Sequence, residues 1–203
     1  MDGFERRKQK KMENIYGVSL ELFFKFGFQK VSVNEIAHKA KVSPATIYNY
    51  FGTKEQLYSE TLVYWMDKQL VQYESILDSE LSFSEKTKQI MLLEASNVKV
   101  LSEELPKALS SELDGLIETM ESYSERKIEA FFAKYVALGK REGFIREDQS
   151  EEMAMRYFSM FKNELVRHWG ASVSRNGRSI GNIDEWLEMF FYGLTGGAPR
   201  SPR

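Results

Sequence analysis

Apolar residues recur every three to four positions along most of the chain, and no segment alternates apolar and polar residues as a half-buried strand would. This spacing predicts an all-α protein. We expect helices over residues 6–26, 33–40, 44–50, 54–77, 84–104, 106–120, 124–142, 150–169 and 184–194. The segment between the last two is rich in Gly, Ser and Asn, which is typical of a loop.

Helix-capping signals support these boundaries. A Ser, Thr, Asp or Asn followed three residues later by Glu or Gln can satisfy two backbone N–H groups reciprocally at a helix start. Five such pairs are expected to start helices: Ser32 with Glu35, Thr53 with Gln56, Ser122 with Glu125, Asp148 with Glu151, and Asn182 with Glu185. Glycines that follow helical runs indicate where helices end, and the four candidates are Gly27, Gly52, Gly143 and Gly170.

The two helices over residues 33–40 and 44–50 are too short to bury a core alone. Such a pair is useful when its second helix is held out rigidly to reach another molecule. The major groove of DNA accepts one α-helix. We expect a helix-turn-helix domain over residues 1–53, a larger helical bundle over residues 54–196, and a disordered tail over residues 197–203.

The helix over residues 44–50 divides its side chains between two sides. Ser43 is expected to cap it, Pro44 to occupy the first position, where a missing N–H costs nothing, and Ile47 and Phe51 to face inward. The residues left for the outside are Ala45, Thr46, Tyr48, Asn49 and Tyr50. Thr and Asn can hydrogen-bond base edges, Ala can contact a thymine methyl, and Tyr suits phosphates. The alternative is that the tyrosines only pack, although two aromatics and an amide are unusual on a solvated face.

A longer set of residues at fixed spacing surrounds this helix. Its members are Phe23, Gly27, Phe28, Val33, Ile36, Ala37, Ala40, Val42, Ser43, Thr46, Ile47, Tyr48, Tyr50, Phe51, Lys54, Glu55 and Leu57. The pattern resembles the DNA-binding domain of TetR/AcrR-type transcriptional regulators, and it covers about 50 residues of the chain. The remainder is similar to that family only in length, helix content and the segment REGFIRED at residues 141–148.

The resemblance implies a homodimer that binds double-stranded DNA at a palindromic operator, and the absence of cysteine fits a cytoplasmic location. It also implies a repressor that is released when a small-molecule effector enters the C-terminal bundle. Together with Pro44 and Ala45 from the helix pattern, the residues expected to bind DNA are Ser32, Ser43, Thr46, Tyr48, Asn49, Tyr50 and Lys54. Asn49 stands where the family often has an aromatic or basic residue, and Tyr50 where His is common. A ligand-independent architectural or division-linked DNA-binding protein of the same fold stays open as the alternative.

The C-terminal bundle carries many Met and Phe residues, which can either pack a core or line an adaptable apolar cavity. For an apolar or amphipathic effector we expect the binding residues Met91, Glu94, Asn97, Met120, Phe131, Phe158 and Phe161. The last two helices are apolar on two sides, so they need two partners, and one can be a second copy of the chain. The expected dimer interface comprises Met153, Tyr157, Met160, Trp186, Phe190 and Phe191.

Composition narrows the chemistry further. The chain has no cysteine, its two histidines, His38 and His168, lie far apart in sequence, and no apolar run approaches the ~18 residues of a membrane span. We therefore expect no enzyme activity, no metal, no cofactor and no membrane partner. Residues 1–60 carry a net charge of +3 and the remainder −5, which favours a polyanion partner at the N-terminal end.

The basic residues near the N-terminus have two open interpretations. They are Arg6, Arg7, Lys8, Lys10 and Lys11. They either reach along the DNA backbone or into a minor groove, as basic arms do, or they form a solvated helix end.

Overall fold

A computed structural model describes residues 3–108, 127–174 and 183–192 of the chain. Within these ranges the chain forms eight helices and no strand, which confirms the predicted all-α fold. The helices are α1 (Gly3–Phe26), α2 (Val33–Ala40), α3 (Pro44–Phe51), α4 (Lys54–Leu77), α5 (Phe83–Ala108), α6 (Glu129–Arg141), α7 (Glu151–Ser174) and α8 (Ile183–Tyr192).

Two predicted helix ends are wrong. A break before Pro106 was expected, but α5 continues through this proline to Ala108, because adding a turn to an existing helix is far easier than starting one. Gly170 was expected to end a helix, but α7 continues to Ser174, since a glycine weakens a helix by only about 1 kcal/mol. The remainder of the helix predicted over residues 106–120 lies outside the described residues, as do Ser122, Asn182 and the predicted tail.

The predicted cap at Asp148 is also wrong. The Asp148 carboxylate accepts a hydrogen bond from Arg146 Nε at 2.9 Å, so it is not available to the helix that follows. Ser150 caps α7 instead, because its Oγ accepts a hydrogen bond from the Met153 N–H at 3.2 Å. An unpredicted capping box starts α5, where Ser82 and Glu85 satisfy each other's backbone N–H groups.

The described residues fall into two compact units, and the division between them within α4 comes after Val71. In the first unit, a hydrogen bond of 2.9 Å joins α1 to α2. It runs from Asn14 Nδ2 to the carbonyl of Ala40, the last residue of α2. The buried core of this unit is drawn from α1 to α4 and from the turn after α1, and includes Ile15, Phe23, Phe28, Ile36, Ile47, Phe51, Leu57 and Tyr58. These contacts leave one side of α2 and α3 exposed.

In the second unit, Phe83 at the start of α5 is the centre of an aromatic cluster. Its ring lies 4.9 Å from Tyr135, 5.2 Å from Phe144 and 6.1 Å from Phe191, measured between ring centroids. The backbone N–H of Phe83 donates to the Glu142 carboxylate at 3.0 Å. The segment at residues 141–148 therefore returns to the start of α5 and holds it.

Close packing at this point predicts opposite outcomes for two helical glycines. A Cβ at Gly139 in α6 would lie 2.6 Å from Ile145 Cδ1 and 2.7 Å from Phe83 Cζ, whereas a Cβ at Gly17 in α1 would meet nothing within 4 Å. We expect Gly139→Ala to lower the free energy of unfolding by about 1–3 kcal/mol through overpacking. Gly17→Ala should raise it by about 0.5–1 kcal/mol, because alanine loses less entropy in a helix.

Urea denaturation followed by circular dichroism measures both variants. Equal effects of the two substitutions would contradict the close approach of Gly139 to Phe83.

Candidate nucleic-acid interface

The start of α2 is closed by a reciprocal capping box. Ser32 Oγ accepts a hydrogen bond from the Glu35 N–H at 3.2 Å, and the Glu35 carboxylate accepts one from the Ser32 N–H at 2.8 Å. These bonds from Ser32, helped by the charge of Lys54, hold the pKa of Glu35 below its ordinary value. A helix N-terminus is normally open to anions, but at α2 the protein's own carboxylate already occupies that place.

The turn between α2 and α3 is short and internally bonded. Lys41 adopts a left-handed conformation with φ of 56°, which ends α2, and Val42 N–H donates to the carbonyl of Ala37 at 3.0 Å. Val42 packs against the core of the first unit. Ser43 then begins α3 in a fixed position relative to α2.

At α3 the cap and the buried anchors are as the sequence predicts. Ser43 Oγ accepts a hydrogen bond from the Thr46 N–H at 3.1 Å and lies 2.9 Å from Thr46 Oγ1, and Pro44 stands at the first helical position. Ile47 and Phe51 are 1% and 4% exposed. The geometry therefore holds α3 by one side only.

The five residues expected on the outside of α3 do not share one environment. Ala45, Tyr48 and Asn49 are exposed, and Tyr48 keeps 51% of its surface. Thr46 and Tyr50 are half-buried; Tyr50 packs edge-on against Phe51 at 6.2 Å and against the core. Sequence spacing alone did not separate these two groups, because it takes no account of neighbouring helices.

Basic side chains flank this exposed side. Lys54 Nζ lies 4.2 Å from the centroid of the Phe28 ring, a cation–π contact that holds the lysine at the start of α4. Lys39 is engaged instead with Glu21, at 2.5 Å. Since α1 begins at Gly3, the basic residues of the N-terminus form an exposed helical extension and not an extended arm; they are Arg6, Arg7, Lys8, Lys10 and Lys11.

Residues 15–61, which contain α2, α3 and the start of α4, match the sequence model of the tetR family of bacterial regulatory proteins. The N-terminal unit carries a TetR-type domain. The capped pair α2 and α3 lies within this domain and forms a helix-turn-helix.

Solved structures share the fold over nearly the whole chain. FadR from Bacillus subtilis, solved in complex with stearoyl-CoA, is 17% identical with a TM-score of 0.64, and the match covers 90% of this chain and 98% of FadR. FadR from Bacillus halodurans is 16% identical with a TM-score of 0.65, covering 91% and 96% of the two chains. A TetR-family regulator from Mesorhizobium loti is 23% identical with a TM-score of 0.59, covering 83% and 95%. No curated protein matches the sequence.

In the second unit, two polar residues expected to orient an effector meet at one tyrosine. The hydroxyl of Tyr73, at the C-terminal end of α4, donates to the Glu94 carboxylate and accepts from Asn97 Nδ2, the latter at 2.8 Å. Burial, followed by the charge of Glu94, raises the pKa of Tyr73 above its ordinary value. Tyr73 itself was missed as a site residue, because its partners are about 20 positions away in sequence.

The remaining expected effector residues are apolar and mostly buried. The Phe131 ring lies 5.8 Å from Tyr73, and Phe158 and Phe161 lie 6.1 Å and 5.2 Å from Phe190. Met91 is buried, and Met120 lies outside the described residues.

The second unit also contains an open groove of about 340 Å³. Five of the six expected dimer residues line it: Met153, Tyr157, Met160, Phe190 and Phe191. Met153 and Met160 on α7 are 55% and 68% exposed, whereas Phe190 is buried and its carbonyl accepts a hydrogen bond from the Tyr157 hydroxyl. The side chain of Trp186 lies outside what the structure describes, and none of the described effector residues lines this groove.

The described residues contain no group of three or more His, Cys, Asp or Glu side chains placed to hold a metal ion. No helix in the same ranges is long and apolar enough to cross a membrane.

The capping box of α2 predicts a pH dependence. Because the pKa of Glu35 is lower in the folded protein, its contribution to stability is present above the ordinary glutamate pKa of about 4.3 and is lost as the pH falls through the lowered value. Thermal unfolding of wild type and Glu35→Gln should therefore differ at pH 7 and converge towards pH 3.

Glu5→Gln is the control, because Glu5 is an exposed carboxylate in the first turn of α1. A difference between wild type and Glu35→Gln that is the same at pH 7 and pH 3 would contradict the role given to the Glu35 charge.

Proposed function

We propose that this chain is a homodimeric, ligand-responsive repressor that leaves a palindromic operator when a small amphipathic effector binds. The observation that carries the proposal is the rigidly capped α3, anchored through Ile47 and Phe51, with Ala45, Tyr48 and Asn49 exposed on its other side. A dimer with two-fold symmetry would place two such helices about 34–36 Å apart, one turn of DNA.

We assign the expected DNA contacts to two roles. Ala45, Thr46, Tyr48 and Asn49 face base edges, which carry sequence information. The other contacts face phosphates and fix the orientation of the domain. They are Ser43 and Pro44 at the N-terminus of α3, Ser32 at the start of α2, Tyr50 and Lys54. The N-terminus of α3 is the better phosphate site of the two, since no carboxylate closes it as Glu35 closes α2.

The proposed route of regulation passes through α4, which is one continuous helix from Lys54 to Leu77. Tyr73 near its C-terminal end is bonded to Glu94 and Asn97 of α5. An effector whose polar group binds Glu94 or Asn97 competes with Tyr73 and so favours a different position of α4. Ligand then lowers the population that can bind both half-sites, because it binds the other conformation more tightly.

The neighbour from Bacillus subtilis supplies the first effector to test, stearoyl-CoA, which has the amphipathic character that Met, Phe and a few polar groups accommodate. At 17% identity the likeness concerns the fold, so the compound is a probe, together with free fatty acids and CoA alone.

Selection of bound sequences from a random double-stranded DNA pool tests the proposal. We expect the full chain to enrich a palindrome, and titration of the amphipathic probes to release it in a fluorescence anisotropy assay. Tyr73→Phe should change the probe concentration needed for release while leaving DNA affinity within about twofold, because Tyr73 lies outside the helix-turn-helix. Gln89→Ala, an exposed amide of α5, is the matched control.

The absence of an enriched palindrome would contradict the DNA-binding part of the proposal. A palindrome that no amphipathic probe releases would favour the ligand-independent alternative.

The exposed methionines of α7 predict the dimer interface. Met160→Glu places a charge on a face that we propose is covered by a second copy, so the chain should become a monomer and lose about 10²-fold or more in operator affinity. Val71→Glu is the control, since Val71 is exposed to a similar extent, 61% against 68% for Met160, but lies on α4. Sedimentation equilibrium distinguishes the two masses, and a Met160→Glu protein that stays dimeric would place the interface elsewhere.

A further inference from the structure

The outward face of α3 has a definite centre. Successive helical residues are about 100° apart, so Asn49 lies almost directly opposite the midpoint of Ile47 and Phe51, and Ala45 lies within about 40° of that direction. Both residues are exposed. They are four positions apart, so they form one stripe along the helix.

Asn49 is chemically available on that stripe. Its side-chain amide makes no hydrogen bond to any residue that the structure describes. The hydroxyl of Thr46, by contrast, is within 2.9 Å of Ser43 Oγ and takes part in the cap. Of the two residues in this stripe, Asn49 is therefore the one that offers a donor and an acceptor together without breaking a contact of the fold.

The chemistry of this stripe matches one kind of base pair. An asparagine amide can bond adenine N6 and N7 in the major groove at the same time, and an alanine methyl packs against the methyl of thymine. Guanine is most often read by Arg or Lys, and the sequence of α3, PATIYNYF, presents an amide, a hydroxyl, phenols and methyl groups. The lysines nearest to α3 in sequence flank its two ends: Lys41 lies in the turn before it and Lys54 contacts the Phe28 ring after it. Lysines at these positions suit phosphates and not base edges.

We infer that each operator half-site is read at A·T pairs, with Asn49 bonded to an adenine and Ala45 against a thymine methyl. The inference rests on the proposed entry of α3 into the major groove. Ala45 and Asn49 are about 6 Å apart along the helix axis, at a rise of about 1.5 Å per residue. With base pairs about 3.4 Å apart, the adenine and the thymine lie within about two base pairs of each other.

Two substitutions at Asn49 test the inference on the full chain. For wild type, replacing the contacted A·T pair by G·C in a selected operator should weaken binding about 5- to 150-fold. Asn49→Ala should bring that ratio close to one while keeping the dependence of affinity on salt, because phosphate contacts are untouched. Asn49→Arg should select guanine at the same position.

Gln89→Ala, which removes an exposed amide from α5, should leave the selected sequence unchanged. Circular dichroism checks folding, and since Asn49 is exposed and makes no hydrogen bond in the described residues, both variants should fold as wild type.

The outcomes separate this inference from the function on which it rests. If wild type enriches no palindrome, the proposed function fails and the inference falls with it. If a palindrome is enriched but no base position responds to Asn49→Ala or Asn49→Arg, or the responding pair is G·C, the proposed function stands and the inference is overturned. An A·T pair whose preference is lost in Asn49→Ala and becomes G·C in Asn49→Arg supports it.

Discussion

The burial of Ile47 and Phe51 is the interaction on which the DNA-binding unit depends. An eight-residue helix is marginal in water on its own, and α3 has only a serine cap and a proline to start it. Full burial of an apolar side chain contributes about 1.5–3 kcal/mol, so these two residues supply more than the local signals do. Because they take up one side of the helix, they also decide that Ala45 and Asn49 are presented on the other.

Capping hydrogen bonds further fix the positions of α2 and α3. Ser32 and Glu35 close α2, a left-handed Lys41 ends it, and Ser43 starts α3 two residues later. Partners within the turn satisfy the backbone N–H groups of Ser32, Glu35, Val42 and Thr46. These bonds hold α3 in a fixed position relative to α2. The proposed base contacts benefit from this rigidity, since ordering a mobile helix on binding would lower the affinity.

Tyr73 has a comparable place in the second unit. Its phenol is the shared partner of a carboxylate and an amide from α5, and its ring contacts Phe131 of α6. The tyrosine belongs to α4, the helix that also begins with Lys54 beside the capping box. One helix therefore carries both a residue of the proposed effector region and a residue of the proposed DNA contact, which is the connection that a ligand-responsive regulator requires.

Sequence alone determined the elements whose causes are local. The bounds of α2 and α4, the Ser32 and Ser43 caps and the inward position of Ile47 and Phe51 follow from spacing and capping chemistry within a few residues. Features set by distant residues were decided only by the tertiary structure. Asp148, the expected cap of α7, bonds to Arg146 instead. Tyr50 packs against the core while Asn49 is exposed. Glu94 and Asn97 both bond to the hydroxyl of Tyr73. The physical reason is that hydrogen bonding and burial depend on which side chains lie nearby in space, and helical periodicity specifies the face of a residue but not the neighbour that the fold brings to it.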